Sequence, residues 1–228
     1  MNDALLNNPV WSALTTEQAS FARGGEIFKR FQPGVLSFAA CQHPETDNPA
    51  TLEPWLEENE TFYLVGKLPE IPSKWHIINT LPCAQMVLTE LNTDLKFSDL
   101  PIRRLGEKDS TEMFELINSI QPGYYFKNTH KLGSYFGIHL DGKLVAMAGE
   151  RMKLAGFTEL SAICTHPDYR GRGLAQQLIV ALCEEHRQSG STSFLHVATA
   201  NTGAIKLYEH MGFRHRTEIN FTKLRIGV

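Results

Sequence analysis

The sequence predicts an α/β fold of mixed (α+β) type, in which helices flank one central sheet. Beyond residue 100, extended apolar segments alternate with segments whose apolar residues recur at helical spacing. The first of these helical segments is followed by three extended segments in succession. Such an order is typical of a layered structure with a mixed sheet rather than a purely parallel one.

The chain has 228 residues, which is long for one simple domain. Turn-forming residues gather in "LNTDLKFSDLP", so we expect a boundary there between an N-terminal α/β domain, 1–98, and a second domain, 99–228. The first part carries aromatic-rich segments broken by prolines, and its "HPETDNPATLEP" is typical of an irregular loop. We interpret "FARGGEIFKRF" as a helix interrupted by Gly24 and Gly25, because no strand leads into it.

The first elements of the second part have clear signals. "PIRRL" is short and extended, and "DSTEMFELINSI" predicts a helix in which Asp109 and Glu112 resemble a capping box. "SYFGIHLDGKLVAMAGERM" predicts two strands around Asp141-Gly142, since this dipeptide favours a tight hairpin turn. "FTELSAICTHP" predicts a further strand that Pro167 ends.

The remaining elements of the second part alternate between helix and strand. A helix begins near Gly173 and ends near Gly190, and "TSFLHVAT" predicts the strand that follows. "NTGAIKLYEHMG" predicts a helix with Asn201 as its N-cap and Gly212 as its C-terminal stop. "FRHRTEINFTKLRI" closes the chain with one or two strands.

Composition narrows the function classes. The formal net charge is −3, so no global charge attracts the protein to nucleic acid or to an anionic membrane, and any anion site must be local. No stretch reaches the roughly 18 apolar residues that a membrane span needs. The four cysteines show no CxxC pairing and predict reduced thiols, and the histidines form no ligand set, so we expect a cytoplasmic protein without a metal site.

The segment "HPDYRGRGLAQQL" predicts an anion site. A strand ends at Thr165, and the next helix begins near Gly173, where the first N–H groups lack partners and carry partial positive charge. Arg170 and Arg172 add full charge, and glycines allow a ligand to approach the backbone closely. The glycine spacing fits neither a Walker loop nor a dinucleotide loop. By itself, the segment also fits a simple turn with solvated arginines.

Two motifs in order resemble those of the GNAT N-acetyltransferase superfamily. The first, Arg170-x-x-Gly173-x-Ala175, is similar to the family's coenzyme A loop. The second consists of Asn201, Ala204, Tyr208, Gly212 and Phe213 at the family's spacing. The resemblance covers about residues 100–228. It implies a central sheet in which two neighbouring parallel strands separate around coenzyme A. The first part then resembles a degenerate copy, as in glycine N-acyltransferase-like tandem forms.

The resemblance also implies which residues bind the acetyl-CoA cosubstrate. Backbone groups at the strand end would pair with the pantetheine arm, the N–H groups of the loop would hold the pyrophosphate, and Asn201 would bond the arm. The Thr165 N–H would polarise the thioester carbonyl. The complete set is Ile163, Cys164, Thr165, Arg170, Gly171, Arg172, Gly173, Leu174, Ala175 and Asn201.

Three residues are candidates for the chemistry that the resemblance implies. Tyr208 matches the family position that protonates the departing thiolate. Glu159 matches a position where some members carry a catalytic base, and burial would raise its pKa towards the range that suits a base. Ser161 and Ile163 would share its face in a regular strand, although a bulge would shift this. His196 is the rival base, and Cys164 is expected to be a packed thiol.

The sequence therefore predicts an N-acetyltransferase that acylates a primary amine directly from acetyl-CoA. A coenzyme A-binding regulatory or structural protein without turnover is the alternative, and a nucleotide-binding module lacks its P-loop lysine. The acceptor is expected to be a small-molecule amine or a peptide. The sequence indicates no partner of nucleic acid or membrane, and it leaves a homodimer open.

Overall fold

The computed structural model describes residues 3–92, 94–95, 97 and 100–227. These residues form an 11-stranded sheet with flanking helices, so the predicted mixed α/β class is confirmed. The strands are β1 Ala22–Gly24, β2 Phe28–Phe31, β3 Phe38–Cys41, β4 Thr61–Val65, β5 Trp75–Leu88, β6 Arg103–Leu105, β7 Tyr135–Leu140, β8 Lys143–Leu154, β9 Phe157–Thr165, β10 Thr192–Ala198 and β11 Phe213–Ile226. The helices are α1 Pro9–Thr15, α2 Ser110–Ile120, α3 Leu174–Gln188 and α4 Thr202–His210.

Strand β8 shows how the layers are arranged. Ala146 and Ala148 pack in the apolar cluster that contains the buried face of α3. Met147, between them, packs in a different cluster with the buried residues of α2. Because side chains alternate between the faces of a strand, α2 and α3 cover opposite faces of the sheet.

The strand pairing follows the same pattern on both sides of the central β11–β5 pair, with four strands beyond it on one side and five on the other. The strand order is β1-β2-β3-β4-β11-β5-β10-β9-β8-β7-β6. Outward from the central β11–β5 pair, each side has an antiparallel pair, then a parallel pair (β4 with β3, β10 with β9), then antiparallel pairs. Strand β5 comes from the first part of the chain but pairs with β10, whereas β11 pairs with β4. Each part of the chain therefore contributes a long strand to the other part's side of the sheet.

The two parts also share an apolar core. Val10 and Leu14 of α1 pack in one cluster with Met152 of β8 and Phe194 of β10. The predicted boundary between residues 98 and 99 lies outside the described residues. No helix within the described ranges is long and apolar enough to cross a membrane.

The segment "FARGGEIFKRF" was predicted wrongly as an interrupted helix. It forms the antiparallel strands β1 and β2, joined by a short turn. Gly24 has a φ of +124°, and a Cβ there would lie 2.3 Å from the Phe28 carbonyl oxygen, so the close turn requires glycine. Phe28 and Phe31 are fully buried, and their burial in the sheet outweighs the local helical tendency.

The predicted capping box at Asp109 and Glu112 is also wrong, although helix α2 itself is confirmed. A short 3₁₀ turn precedes the helix, and Asp109 accepts hydrogen bonds from the Gly106 N–H and from Arg103, each at 2.9 Å. Glu112 instead lies 3.2 Å from Nε2 of His139. The Asp109 carboxylate therefore ties the turn to β6 rather than capping α2.

Two other local predictions are confirmed. Asp141 and Gly142, with φ of +50° and +76°, form the tight turn between β7 and β8. The closing segment is the single strand β11, whose pairing with β5 shifts register between His215 and Thr217. Arg216 is the extra residue of this bulge, and a bulge commonly redirects the side chain that it carries.

Candidate active site

A gap opens between the parallel strands β9 and β10. They pair from Phe157–Thr192 to Leu160–Leu195, and both strands then continue without pairing to each other. Ala162 of β9 has a φ of +50°, and the pairing of β9 with β8 shifts register at this point. The bulge interrupts the alternation that would put Ile163 on the same face as Glu159. The pairing of β9 with β10 ends at Leu160, just before this bulge.

A groove of about 550 Å³ runs from this gap to the start of α3. Arg172 does not line it, and its guanidinium lies 5.1 Å from the ring centre of Tyr169. The other residues that the sequence predicted for coenzyme binding line one surface together. They are Ile163, Cys164, Thr165, Arg170, Gly171, Gly173, Leu174, Ala175 and Asn201.

The start of α3 supplies hydrogen-bond donors to this groove. Gly173 is the N-cap and has a left-handed conformation, with φ of +74°, which an L side chain rarely adopts. The N–H groups of the first turn, which begins at Leu174, have no partner within the helix and carry the positive end of its dipole. Arg170 lines the groove beside them. This end of the groove is therefore suited to an anionic group.

A second, smaller cavity of about 180 Å³ lies behind the gap. Leu81 and Cys83 of β5 form part of its wall, together with Tyr124 and Tyr125 from the connection between α2 and β7. The cavity and the groove share three lining residues, which are Ile163, Asn201 and Tyr208. A ligand in the groove and a ligand in the cavity would therefore meet beside Tyr208.

Helix α4 positions the shared polar residues. Asn201 is its N-cap, as predicted, and its Oδ1 accepts a hydrogen bond of 3.2 Å from the Ala204 N–H. Tyr208, two turns later, is buried and packs edge-on against Phe213 at 6.0 Å. Burial raises the pKa of Tyr208 to about 12, so its hydroxyl stays protonated at neutral pH. Tyr208 is thus available as a proton or hydrogen-bond donor.

Glu159 and His196 lie in one buried cluster with Arg151. Glu159 is fully buried and accepts hydrogen bonds from Arg151, through Nε at 2.8 Å and Nη2 at 2.5 Å. Nδ1 of His196 lies 2.7 Å from Oε1 of the same carboxylate. The two residues that the sequence offered as rival bases are therefore hydrogen-bonded partners. His196 lines the cavity, and Glu159 lies behind it.

The pKa of Glu159 lies at about 2, not in the raised range that the sequence suggested. Burial acts to raise it, but the Arg151 guanidinium and the two hydrogen bonds lower it by more. The pKa of His196 lies below its usual value of 6.5, because burial outweighs the opposing effect of Glu159. The cluster at neutral pH thus consists of a carboxylate, a guanidinium and a neutral imidazole.

Arg151 is a residue of the site that sequence reasoning missed. Its guanidinium lies 4.9 Å from the ring centre of Phe38 in β3 and 5.7 Å from that of Phe221 in β11. Such stacking stabilises a partly desolvated cation. Nothing near "GERM" in the sequence marks this residue. Its ion-pair partner Glu159 is on the adjacent strand β9, but Phe38 and Phe221 lie on strands distant along the chain.

Two cysteines border the site, and neither has the properties of a nucleophile. Cys164 is buried, as predicted, and burial raises its pKa to about 12. Cys83, in the cavity wall, has its pKa raised by burial to about 11. A thiol is reactive as the thiolate, which is scarce at neutral pH for both residues. In the described part of the chain, no group of three or more His, Cys, Asp or Glu side chains has a geometry that holds a metal ion.

The two arginines of the loop provide a matched pair for testing the groove. We expect Arg170→Ala to raise the Kd of acetyl-CoA about tenfold, since a charge-assisted hydrogen bond contributes roughly 1.5–3 kcal/mol and an exposed one less. Arg172→Ala is expected to change it less than threefold, because Arg172 does not line the groove. Calorimetric titration measures both constants. Equal losses in the two variants would contradict the groove as the binding surface.

Comparison with known proteins finds a matching family model and solved structures that share this fold. The family model described as FR47-like protein matches residues 135–222. The solved structure of a GNAT-family protein from Novosphingobium aromaticivorans DSM 12444 is 34% identical, covers 98% of this chain and 99% of its own, and superposes with a TM-score of 0.88. A GCN5-related N-acetyltransferase from Kribbella flavida shares the fold, with 14% identity, coverage of 97% and 95%, and a TM-score of 0.66.

A curated relative matches part of the chain. The ribosomal protein bS18-alanine N-acetyltransferase of Escherichia coli K12 is 36% identical over 83 residues, which are 36% of this chain and 55% of the relative. The chain thus spans about half the length of the curated relatives it matches. Because the Novosphingobium protein matches over nearly the whole of both chains at 34% identity, this chain belongs to the GNAT family of acetyltransferases.

Proposed function

We propose that the protein is an N-acetyltransferase that moves the acetyl group of acetyl-CoA directly to a primary amine. The proposal rests on one observation: the groove and the cavity share the lining residues Ile163, Asn201 and Tyr208. The groove has the shape and the hydrogen-bond donors that an extended, phosphate-bearing cosubstrate requires. The cavity beyond it is partly open, partly aromatic and close to buried titratable groups, as an acceptor site requires.

The residues of the groove fit acetyl-CoA. The first-turn N–H groups of α3 and Arg170 would hold the pyrophosphate, while the unpaired end of β9, from Ile163 to Thr165, would hold the pantetheine arm. A Cβ at Gly171 would meet no atom within 4 Å, so the groove is open there. When bound, acetyl-CoA supplies the acetyl group as an activated thioester. Asn201 and the Thr165 N–H would orient it beside Tyr208.

The proposed reaction requires two proton transfers, and these give roles to Tyr208, His196 and Glu159. The new bond joins the amine nitrogen to the acetyl carbon, and the carbon–sulfur bond breaks. Tyr208 donates its proton to the departing thiolate, and His196 accepts the proton that the amine loses. Solvent then carries that proton back to Tyr208, so the protein returns to its starting state. Glu159 holds the imidazole in position and stabilises its protonated form, as a carboxylate does in a catalytic triad.

The acid limb of the pH profile follows from the pKa of His196. This pKa is lowered, so the imidazole keeps its neutral, basic form at pH values below its usual 6.5. The acceptor amine also titrates, so kcat/KM is calculated for its unprotonated form, and we expect the midpoint of the remaining decline to lie below pH 6.5. Initial rates measured from pH 5 to pH 8 with saturating acetyl-CoA check this. A midpoint above pH 7 after this correction would contradict the assignment of His196.

We further propose that the first part of the chain, 1–98, is a degenerate copy of the second. The mirrored pairing pattern of the sheet supports this, because β3 and β4 form the counterpart of the separating pair β9 and β10. The motif Arg170-x-x-Gly173-x-Ala175 has no counterpart in the first copy. In this proposal the first copy supports the sheet and supplies the wall of the acceptor cavity that Leu81 and Cys83 form.

A thiol-release screen tests the proposed activity. Purified protein is incubated with acetyl-CoA and a panel of amino acids, polyamines, aminoglycosides and peptides with a free N-terminus. Peptides that begin with alanine belong in the panel because the E. coli relative modifies an alanine. Thiol release that depends on one class of amine, with the acetylated product seen by mass spectrometry, supports the proposal. Tight acetyl-CoA binding without release on any amine would favour a regulatory coenzyme A-binding protein.

A further inference from the structure

Gln85 of β5 lies directly opposite His196 of β10 in the sheet. Its side chain is fully buried, and its Nε2 lies 3.0 Å from Nε2 of His196. The contact joins two nitrogens, so one of them must donate a proton and the other must accept it. The direction of this hydrogen bond decides which imidazole nitrogen carries the lone pair.

The orientation of the Gln85 amide is determined by its two other partners. Its Oε1 accepts a hydrogen bond of 2.9 Å from Nη1 of Arg216, a group that can only donate. Its Nε2 donates to the Leu6 carbonyl oxygen at 2.9 Å. A flipped amide would set N–H against guanidinium and oxygen against carbonyl, losing both hydrogen bonds. Gln85 is therefore the donor to His196.

The opposite nitrogen of the imidazole leads independently to the same tautomer. Glu159 is ionised and can only accept, so Nδ1 of His196 carries the proton of the 2.7 Å hydrogen bond. Nε2 is then left with the lone pair that the Gln85 N–H meets. Both partners of the ring thus require one neutral form, with the proton on Nδ1.

We propose that Gln85 is a positioning residue, which fixes His196 as the Nδ1–H tautomer and keeps its basic lone pair on Nε2. The consequence for catalysis rests on the proposed function. The proton that the acceptor amine loses would go to Nε2, where the Gln85 N–H gives up its hydrogen bond to the ring while the amide keeps its bonds to Arg216 and Leu6. A residue of the first part of the chain therefore determines which nitrogen of His196 acts as the base. Both recognised family motifs lie in the second part.

The surroundings of Gln85 keep it in place. Arg216, at the bulge of β11, also donates through Nη2 to Oδ1 of Asn7 at 2.6 Å and to the Asp3 carbonyl at 2.9 Å. The N-terminal 3₁₀ segment Asp3–Asn7 thus accepts hydrogen bonds from both Arg216 and Gln85. Besides Glu159, the titratable or charged groups around His196 among the described residues are Arg151, from β8, Cys83, from β5, and the cavity tyrosines Tyr124, Tyr125 and Tyr208. Arg151 opposes protonation of the ring, and the buried Cys83 thiol is neutral.

Nitrogen-15 NMR of the protein labelled at histidine tests the proposal without any need for turnover. The chain has 9 histidines, and the spectrum of His196→Gln identifies the signals of His196 by difference. In the wild-type protein at neutral pH we expect the Nδ1 signal in the protonated range and the Nε2 signal in the unprotonated range. A protonated Nε2 beside an unprotonated Nδ1 would overturn the proposal.

Two variants extend the test to the pH profile. In Gln85→Glu a carboxylate can accept from Nε2–H, so His196 is expected to become doubly protonated and the acid limb of kcat/KM to move up by about one pH unit or more. Asn7→Ala is the matched control, since it weakens the hold on Arg216 but leaves both partners of His196. Asn7→Ala is expected to lower the Tm but to leave the acid limb of kcat/KM and the tautomer of His196 unchanged.

The outcomes separate this inference from the proposed function. A folded Gln85→Glu protein whose His196 pKa is unchanged would overturn the inference. If Gln85→Glu does not fold, the wild-type spectrum alone decides the tautomer. Failure of every amine in the thiol-release screen, together with the expected tautomer, would instead overturn the proposed activity and leave the positioning of His196 intact.

Discussion

Tyr208→Phe is expected to lower kcat by about a hundredfold or more, because a positioned acid contributes roughly 10²–10⁴-fold. The phenol lies where groove and cavity meet, and its raised pKa keeps it protonated at neutral pH. Phenylalanine retains the ring that packs against Phe213, so the Tm and the Kd of acetyl-CoA should change little. Steady-state rates with the acceptor found by the screen, with calorimetry and a thermal melt, measure all three quantities.

Tyr135→Phe provides the matched control for Tyr208→Phe. Tyr135 is more deeply buried than Tyr208, but it lines neither the groove nor the cavity. Its variant should keep wild-type kcat. A Tyr208→Phe enzyme with full activity would show that the departing thiolate leaves without this hydroxyl, and the assignment of the acid would then be wrong.

Glu159→Gln is expected to reduce both stability and activity strongly. The substitution leaves the buried Arg151 guanidinium without its counter-charge, which costs about 3–5 kcal/mol of unfolding free energy in comparable buried pairs. In a chain of this size each kcal/mol corresponds to roughly 2–4 °C in Tm, so the Tm should fall by about 10 °C. The imidazole also loses the negative charge of its partner at Nδ1, and kcat should fall with it.

The pH dependence of this stability difference has a definite sign. The pKa of Glu159 is lowered to about 2 from 4.5, so its contribution is complete above pH 4.5 and disappears as the pH falls towards 2. Denaturant melts of the wild type and Glu159→Gln should converge over that range. The double variant Arg151→Met, Glu159→Gln should regain stability but no activity, because no buried charge is left unpaired. Equal stability of the wild type and Glu159→Gln at pH 7 would contradict the buried ion pair.

The groove proposed for acetyl-CoA could be predicted from sequence because its residues are local. About ten residues contain the whole feature: the strand end at Thr165, then Arg170, the N-cap Gly173 and the start of the helix. Local hydrogen bonding and glycine conformation fix such a loop, and the structure brings these residues to one surface. Helix α4 with Asn201 and Tyr208 was predictable for the same reason.

The cavity proposed for the acceptor could not be predicted, since much of its wall comes from strands distant along the chain. The exchange of β5 and β11 between the two halves of the sheet brings Gln85 to His196. Phe38 of β3 likewise contacts Arg151 of β8. No local pattern encodes these contacts. The expected pKa shift of Glu159 is reversed by Arg151, whose position beside the carboxylate no sequence motif marks. The β1–β2 turn was missed likewise, because burial of Phe28 and Phe31 depends on strands that follow them.

Hydrogen–deuterium exchange with and without acetyl-CoA tests the central claim most directly. That claim is that the cosubstrate lies in the gap between β9 and β10, with its phosphates at the start of α3. We predict that acetyl-CoA slows the exchange of amides at 163–165 and 170–175. Unchanged exchange in both segments, or protection confined to the counterpart strands β3 and β4, would contradict the claim.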